Sequence, residues 1–475
     1  MVRTIHITLL LISIATLTSY SQVTIPSFIP NSAAAFYINK VIVQGNKKTK
    51  DYIITRDITF KAGDSATPAQ LQALLDRSQK NIFNTALFTE VKIDARKNID
   101  NEQLLTVYII VKERWYIFPV PVFELYDRNY KEWFKVYRAD LNRVRYGVKF
   151  THYNFSGRRD QLRINIVNGF SKELSFSYNQ PYADKSLNHG FAVTGAYYNR
   201  IGVSYIDSLN AGLPRQLCSS CPKPDFKLFR QQDYVLSLGY SYRKGAYARH
   251  NVALTYINSK VADTVVLLNK NYFNLGNTKA QFADVSYEYN YSKMDYFAYP
   301  LIGNAYRLGA RYRLGNSHLT QLQLYGSLST YYPIASKLYG SNQLSASVRT
   351  AKSQQSFYNT RTSNLGVAAI RGLEQYTIYS TWDVSLRNSV RYQIINRDFK
   401  LPFSIINHEK IPIKAYFRTF ADVAYAYLNN PNSSRLNNQW LRTYGIGLDI
   451  VTLYDYTIKM DISYNQFKQV GVYFK

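Results

Sequence analysis

From residue 115 to its end, the chain alternates apolar and polar residues in one segment after another. In 283–291 Val285, Tyr287 and Tyr289 oppose Asp284, Ser286, Glu288 and Asn290. In 307–314 Leu308, Ala310 and Tyr312 oppose Arg307, Arg311 and Arg313. In 457–465 Ile458, Met460, Ile462 and Tyr464 oppose Lys459, Asp461, Ser463 and Asn465. Period two is the mark of a strand. One uniformly apolar face and one charged face, sustained over about ten residues, is what a strand needs to stand in lipid around a wet interior. Strands of a soluble sandwich are commonly shorter, about five or six residues.

Sixteen such segments are counted, from 117–126, 144–154 and 160–168 through to 379–395, 411–427, 441–454, 457–466 and 470–475. Closure of a single-chain bacterial barrel requires an even number. After the first 21 residues there is no run of about 18 apolar residues, which excludes a helical membrane protein. The 44 Tyr and 25 Phe fit strands whose faces meet both apolar and wet surroundings. Residues 1–21 read as a cleaved secretory signal, with Arg3 ahead of a short apolar run and small Ser19 and Ser21 before Gln22; 22–34 read as a linker.

The net charge of +27 points to anionic neighbours. An export signal, and basic residues dispersed along strands and turns, make these lipid headgroups and not nucleic acid. Cys218 and Cys221 stand in a lone CSSC; two ligands do not close a zinc site, so a local disulfide in an exported loop is expected. No Ser-His-Asp set and no phosphate-cradling glycine loop stands out, so the reading is a non-enzyme with no cofactor or metal.

Ahead of the strands, 35–114 has a mixed pattern. A strand over 37–43 is followed by a short helix within 50–58. A second helix starts at Thr67-Pro68 with Leu71, Leu74, Leu75 and Ile82 near one face, and strands follow at 88–95 and 104–112. The expected fold class is an α+β domain followed by an all-β transmembrane barrel of about sixteen antiparallel strands. The stretches INKVIVQGNKKTKDYIITRDITFKAGD, NTALFTEVKI and LLTVYIIVKER resemble a POTRA domain, the periplasmic module of the BamA/TamA outer-membrane assembly superfamily. That resemblance implies a periplasmic domain at 35–114 and a barrel at 115–475 in the outer membrane of a Gram-negative-type envelope. It also implies unfolded outer-membrane protein clients, outer-membrane lipids and accessory lipoproteins or other assembly subunits as partners. With the domain in the periplasm the first strand runs outward, so the long connections at 127–143, 199–230, 260–277, 352–378 and 428–440 face outside.

The connection 352–378 contains IRGLEQY. In the superfamily the sixth outer loop folds into the barrel, and the Arg of an Arg-Gly-aromatic motif pairs with an acid on the inner wall. The matching residues are Arg371 and Gly372, with Leu373 where an aromatic is usual and Tyr376 to supply the ring. FRTFADVAYAY, 417–427, resembles the family's strand with a Phe-x-Asp signature, and its alternation puts Phe420, Asp422, Ala424 and Ala426 inward. Asp422 is the expected partner of Arg371, with Asp449 and Glu374 as rivals. In WYIFPVPVFELY, Pro119 and Pro121 lie on one side and lack backbone donors, so the first strand should pair weakly with one neighbour. That neighbour is the short last strand, Val470 to Lys475, with Val470 and Phe474 on its side of the seam, and a weak seam there is the superfamily's lateral gate. Three readings stand: insertion of clients through this gate, a two-partner-type secretion pore, and an accessory barrel subunit.

Overall fold

The protein is described by a computed structural model covering residues 35–125, 134, 138–201, 229–315, 319–351, 356–361, 370–374, 376, 378, 380–405, 408–429 and 436–474. The expected signal and linker, and Cys218 and Cys221, lie outside the described residues.

The N-terminal unit is built from β1 (Phe36–Gln44), α1 (Asp51–Thr55), β2 (Ser65–Ala66), α2 (Pro68–Phe83), β3 (Phe88–Lys97) and β4 (Leu104–Glu113). Its sheet order is β2-β1-β4-β3, with β1 and β4 parallel. The start of α2 follows from its residues. The Thr67 hydroxyl accepts from Gln70 N, the Gln70 side chain accepts from Thr67 N, and Pro68 opens the first turn, so donors that a helix start leaves orphaned are filled. Leu71 and Leu75 pack on Ile38, Leu105 and Val107, and Ile82 packs on Ile53 and Ile109. The two-residue β2 is too short to leave a period in the sequence.

Sixteen strands, β5 (Ile117–Leu125) to β20 (Val470–Phe474), follow in chain order in one antiparallel sheet. The sheet comes round on itself. The Phe118 ring on β5 lies 6.2 Å from that of Tyr454, in the turn between β18 (Trp440–Val451) and β19 (Thr457–Asn465). Arg114, just ahead of β5, meets Asp455 of the same turn at 2.6 Å. The two faces divide as the alternation requires. Asp461 is 2% exposed beside Ile462 at 48%. The inward Arg313 of β13 (Gly303–Leu314) grips Asp284 of β12 (Lys279–Met294) with two bonds of 2.7 Å. Among the described residues no helix is long and apolar enough to cross a membrane.

Two regions depart from the expected strand limits. β16 (Trp382–Ile405) and β17 (His408–Tyr427) form a hairpin that continues beyond its neighbours. The ladder of β16 with β15 (Leu338–Ala351) ends at Leu338–Tyr392, and that of β17 with β18 at Val451–Lys414. Pro412 lies inside this hairpin, opposite Asp398; each strand of a two-stranded ribbon has a free edge on which a missing donor costs nothing. At the far end of the barrel, away from the N-terminal domain, α3 (Asp263–Leu268) and α4 (Phe357–Arg361) build a small dry cap in which Val265, Val266, Tyr272 and Phe273 meet Tyr358. These helices are too short to show a helical period.

Candidate functional site

Arg371 lies inside the barrel, 4% exposed, against the wall formed by β16 and β17. Its Nε donates to Asp422 Oδ2 at 2.8 Å, Nη2 donates to Asp422 Oδ1, and the backbone N donates to Oδ2 at 3.2 Å. Nη1 donates to Ser389 Oγ at 2.8 Å and Nη2 to Asn388 O at 3.1 Å. A buried carboxylate is thus met by a planar two-pronged donor, the geometry that best offsets loss of water. Gly372 has φ +82°, and a Cβ there would stand 2.9 Å from Ser463 Oγ, so both backbone and space call for glycine.

The rival acids are engaged elsewhere. Asp449 takes both prongs of Arg418 at 2.9 Å and the phenol of Tyr299 at 2.7 Å. Arg418 also reaches Asp461. Glu374 accepts from the Gly372 N–H at 2.6 Å. The ring facing Arg371 is that of Phe420, 4.1 Å from the guanidinium carbon, and not that of Tyr376. Tyr376 instead donates its hydroxyl proton to Gln469 and packs near Phe467. Leu373 is buried among Ile370, Ile378, Ala424, Ala426 and Leu441, an apolar seat into which an aliphatic side chain fits.

The sequence reading missed two glycines of β18. A Cβ at Gly445 would lie 2.6 Å from Phe420 Cζ; one at Gly447 would lie 2.6 Å from Asp461 Oδ1 and 2.9 Å from Arg418 Nη2. Their absent side chains let Phe420 lie flat and Arg418 cross the strand. The signal was available, since two glycines two apart within a strand mark a close approach on one face.

The second feature is the seam. β5 pairs with β6 (Val144–Tyr153) along its whole length, from Ile117–His152 to Leu125–Val144. Tyr153 N donates to Tyr116 O at 2.8 Å, so the even-numbered residues of β5 turn their backbone groups toward β6. Pro119 and Pro121 therefore face the free edge, where they remove two donors. On that edge the Trp115 indole N–H donates to Ile117 O, a local bond within the same strand end. β20 pairs with β19 over five residues, Tyr464–Val470 to Met460–Phe474, and among the described residues no ladder joins it to β5. The outward side chains of Val470 and Phe474 are exposed.

The N-terminal domain sits on the turns of the near end. Lys50 N donates to Gly157 O at 3.1 Å, and Arg56 donates to Leu187 O and Arg243 O, each at 2.8 Å. At this joint Tyr116 donates to Leu87 O at 3.0 Å, and burial pushes its phenol up to about 12.

Residues 36–114 match the family model described as POTRA, surface antigen variable number repeat. Among solved structures the chain is similar to BamA from Haemophilus ducreyi lacking POTRA domains 1-3, with 15% identity, 93% of this chain and 83% of that chain covered, and a TM-score of 0.49. It is also similar to CdiB from Acinetobacter baumannii (12% identity, 92% and 72% covered, TM-score 0.47). CdiB from Escherichia coli gives 10% identity, 95% and 92% covered, and a TM-score of 0.48. No curated protein matches the chain in sequence. Residues 36–114 are a POTRA domain, and its union with a sixteen-strand antiparallel barrel sheet bears out the resemblance to the BamA/TamA-type assembly superfamily.

Proposed function

We propose that the chain is an outer-membrane barrel, its POTRA domain in the periplasm, that assembles other outer-membrane proteins through the seam between β5 and β20. The observation that carries this reading is the edge of β5. Among the described residues no ladder joins it to the five-residue β20, and Pro119 and Pro121 have removed two of the donors that would make one. An exposed strand edge is a template for an incoming extended chain. Clients add there as strands, and burial of their apolar faces in lipid with their backbones satisfied supplies the free energy, so no nucleotide is needed. Arg371 on Asp422 holds the loop inside while the seam is idle. Passage of a client through the lumen would have to displace both this loop and the turn bearing Tyr299, which favours lateral insertion over a secretion pore.

Depletion of the protein followed by a census of outer-membrane proteins tests this. A fall in many barrel proteins is expected. Loss of a single exported protein, with the rest unchanged, would replace the reading by secretion of a dedicated partner.

A further inference from the structure

The connection between β12 and β13, Asp295 to Ile302, is eight residues long, whereas β14 and β15 are joined by two. It does not hang below the barrel but turns into it. Asp295 closes its neck: Oδ1 accepts from Leu301 N at 3.0 Å and Ile302 N at 3.1 Å, and Asp295 N donates to Ile302 O at 3.0 Å. From this neck Tyr299 reaches the opposite wall and is 4% exposed. Its ring stacks on Tyr416 of β17 at 4.7 Å, and its hydroxyl donates to Asp449 of β18 at 2.7 Å. Pro300 O accepts from Arg391 of β16 at 2.8 Å.

The outer side of the same turn is held by the POTRA domain. Asn84, which ends α2, donates from Nδ2 to Met294 O at 3.2 Å and Asp295 O at 3.3 Å, and its Oδ1 accepts from Phe297 N at 3.1 Å. The Phe83 ring lies 5.8 Å from that of Tyr296. The Tyr296 hydroxyl donates to Asp455, the residue that binds Arg114 at the joint.

We infer that this turn makes the hold on the outer loop depend on the docking of the POTRA domain. The contacts run without a gap. Asn84 holds the turn, Tyr299 holds Asp449, and Asp449 holds Arg418. Arg418 lies 5.3 Å from the ring of Phe420, which carries Arg371 at 4.1 Å. Every polar partner on this path inside the barrel is buried and shared, so release of one leaves its neighbour short of a bond that water does not readily replace. A row of contacts becomes coupling only when a two-state element is biased from both ends; here that element is the loop, seated or released. Coupling of this kind is reciprocal, so a loosened loop also loosens the domain. The inference rests on the reading of Arg371 as a releasable latch.

The test is the frequency of opening of the full-length protein in planar lipid bilayers, with folding of each variant checked by heat-modifiable gel mobility. Tyr299→Phe removes one hydroxyl and keeps the ring. Asn84→Ala removes the domain's grip, with Asn84→Ser as the alternative should it fold poorly. Tyr299→Phe is expected to raise opening by about fivefold to tenfold, the effect of one net hydrogen bond, and Asn84→Ala, which removes three bonds to the turn, by at least as much. Adding Asn84→Ala to Arg371→Ala should change nothing further, because the loop is already free. Opening unchanged in Tyr299→Phe and Asn84→Ala but raised in Arg371→Ala would overturn the coupling alone. Effects of Asn84→Ala and Arg371→Ala that simply multiply would do the same. No effect of Arg371→Ala would overturn the latch and the coupling with it.

Discussion

Removal of the Arg371 side chain should release the loop, and the structure sets the size of the effect. Asp422 is 1% exposed, and once the guanidinium is gone its nearest cation is Arg387 Nε at 3.8 Å. Breaking a buried pair from one side costs about 3–5 kcal/mol, since the remaining charge is stranded. At about 1.4 kcal/mol per tenfold, the seated state of the loop loses between about two and three and a half orders of magnitude relative to the released state. Arg371→Lys keeps the charge but offers a point donor in place of a fork, so it should fall between wild type and Arg371→Ala. The exchange Arg371→Asp with Asp422→Arg restores the ion pair but not the bonds to Ser389 and Asn388 O, so recovery should be partial. Open probability in planar bilayers reads the loop directly, and sensitivity of cells to large antibiotics reads it in the envelope. An Arg371→Ala protein that opens no more often than wild type would refute the reasoning, as would a charge exchange that recovers nothing.

Gly445→Ala should cost about 1–3 kcal/mol and push Phe420 off Arg371, because the new Cβ would stand 2.2 Å from Ile462 O as well as 2.6 Å from Phe420 Cζ; thermal melting and open probability should both shift. Replacing Pro119 and Pro121 together by Val restores two donors on the free edge, at about 1 kcal/mol each, so amide exchange at the seam should slow and client assembly should fall. Tyr116→Phe should destabilise the joint between domain and barrel with a defined pH dependence. The phenol's raised pKa means that its contribution is fully present below its ordinary value of 10.0 and is lost as pH rises toward about 12. The stability difference between wild type and Tyr116→Phe should therefore be flat below that ordinary value and shrink above it in alkaline melts.

What could be read from residues alone was whatever repeats locally. Thr67 and Pro68 specify a helix start, and the helix starts there, with Gln70 completing the cap in the structure. Alternation counted the sixteen strands and put Asp422 on the inner face because parity survives without knowledge of the neighbour. Contacts between distant segments left no such mark. Phe420 rather than Tyr376 faces Arg371 because the loop enters at an angle that only the folded barrel defines. The inward path of Tyr299 is invisible in DYFAYPLI, which reads as an ordinary turn with a proline. The reach of the ribbon formed by β16 and β17 beyond its neighbours was not legible either, because how far two strands pair depends on segments distant in the chain.

The central claim is that the seam between β5 and β20 opens for clients. Paired cysteines, one in β5 and one in β20, introduced with Cys218 and Cys221 replaced by Ser, allow that seam to be locked by oxidation and freed by reductant in living cells. The account predicts that newly made barrel proteins stop accumulating in folded form while the seam is locked and resume when it is freed. Unchanged accumulation with the seam fully cross-linked would contradict it.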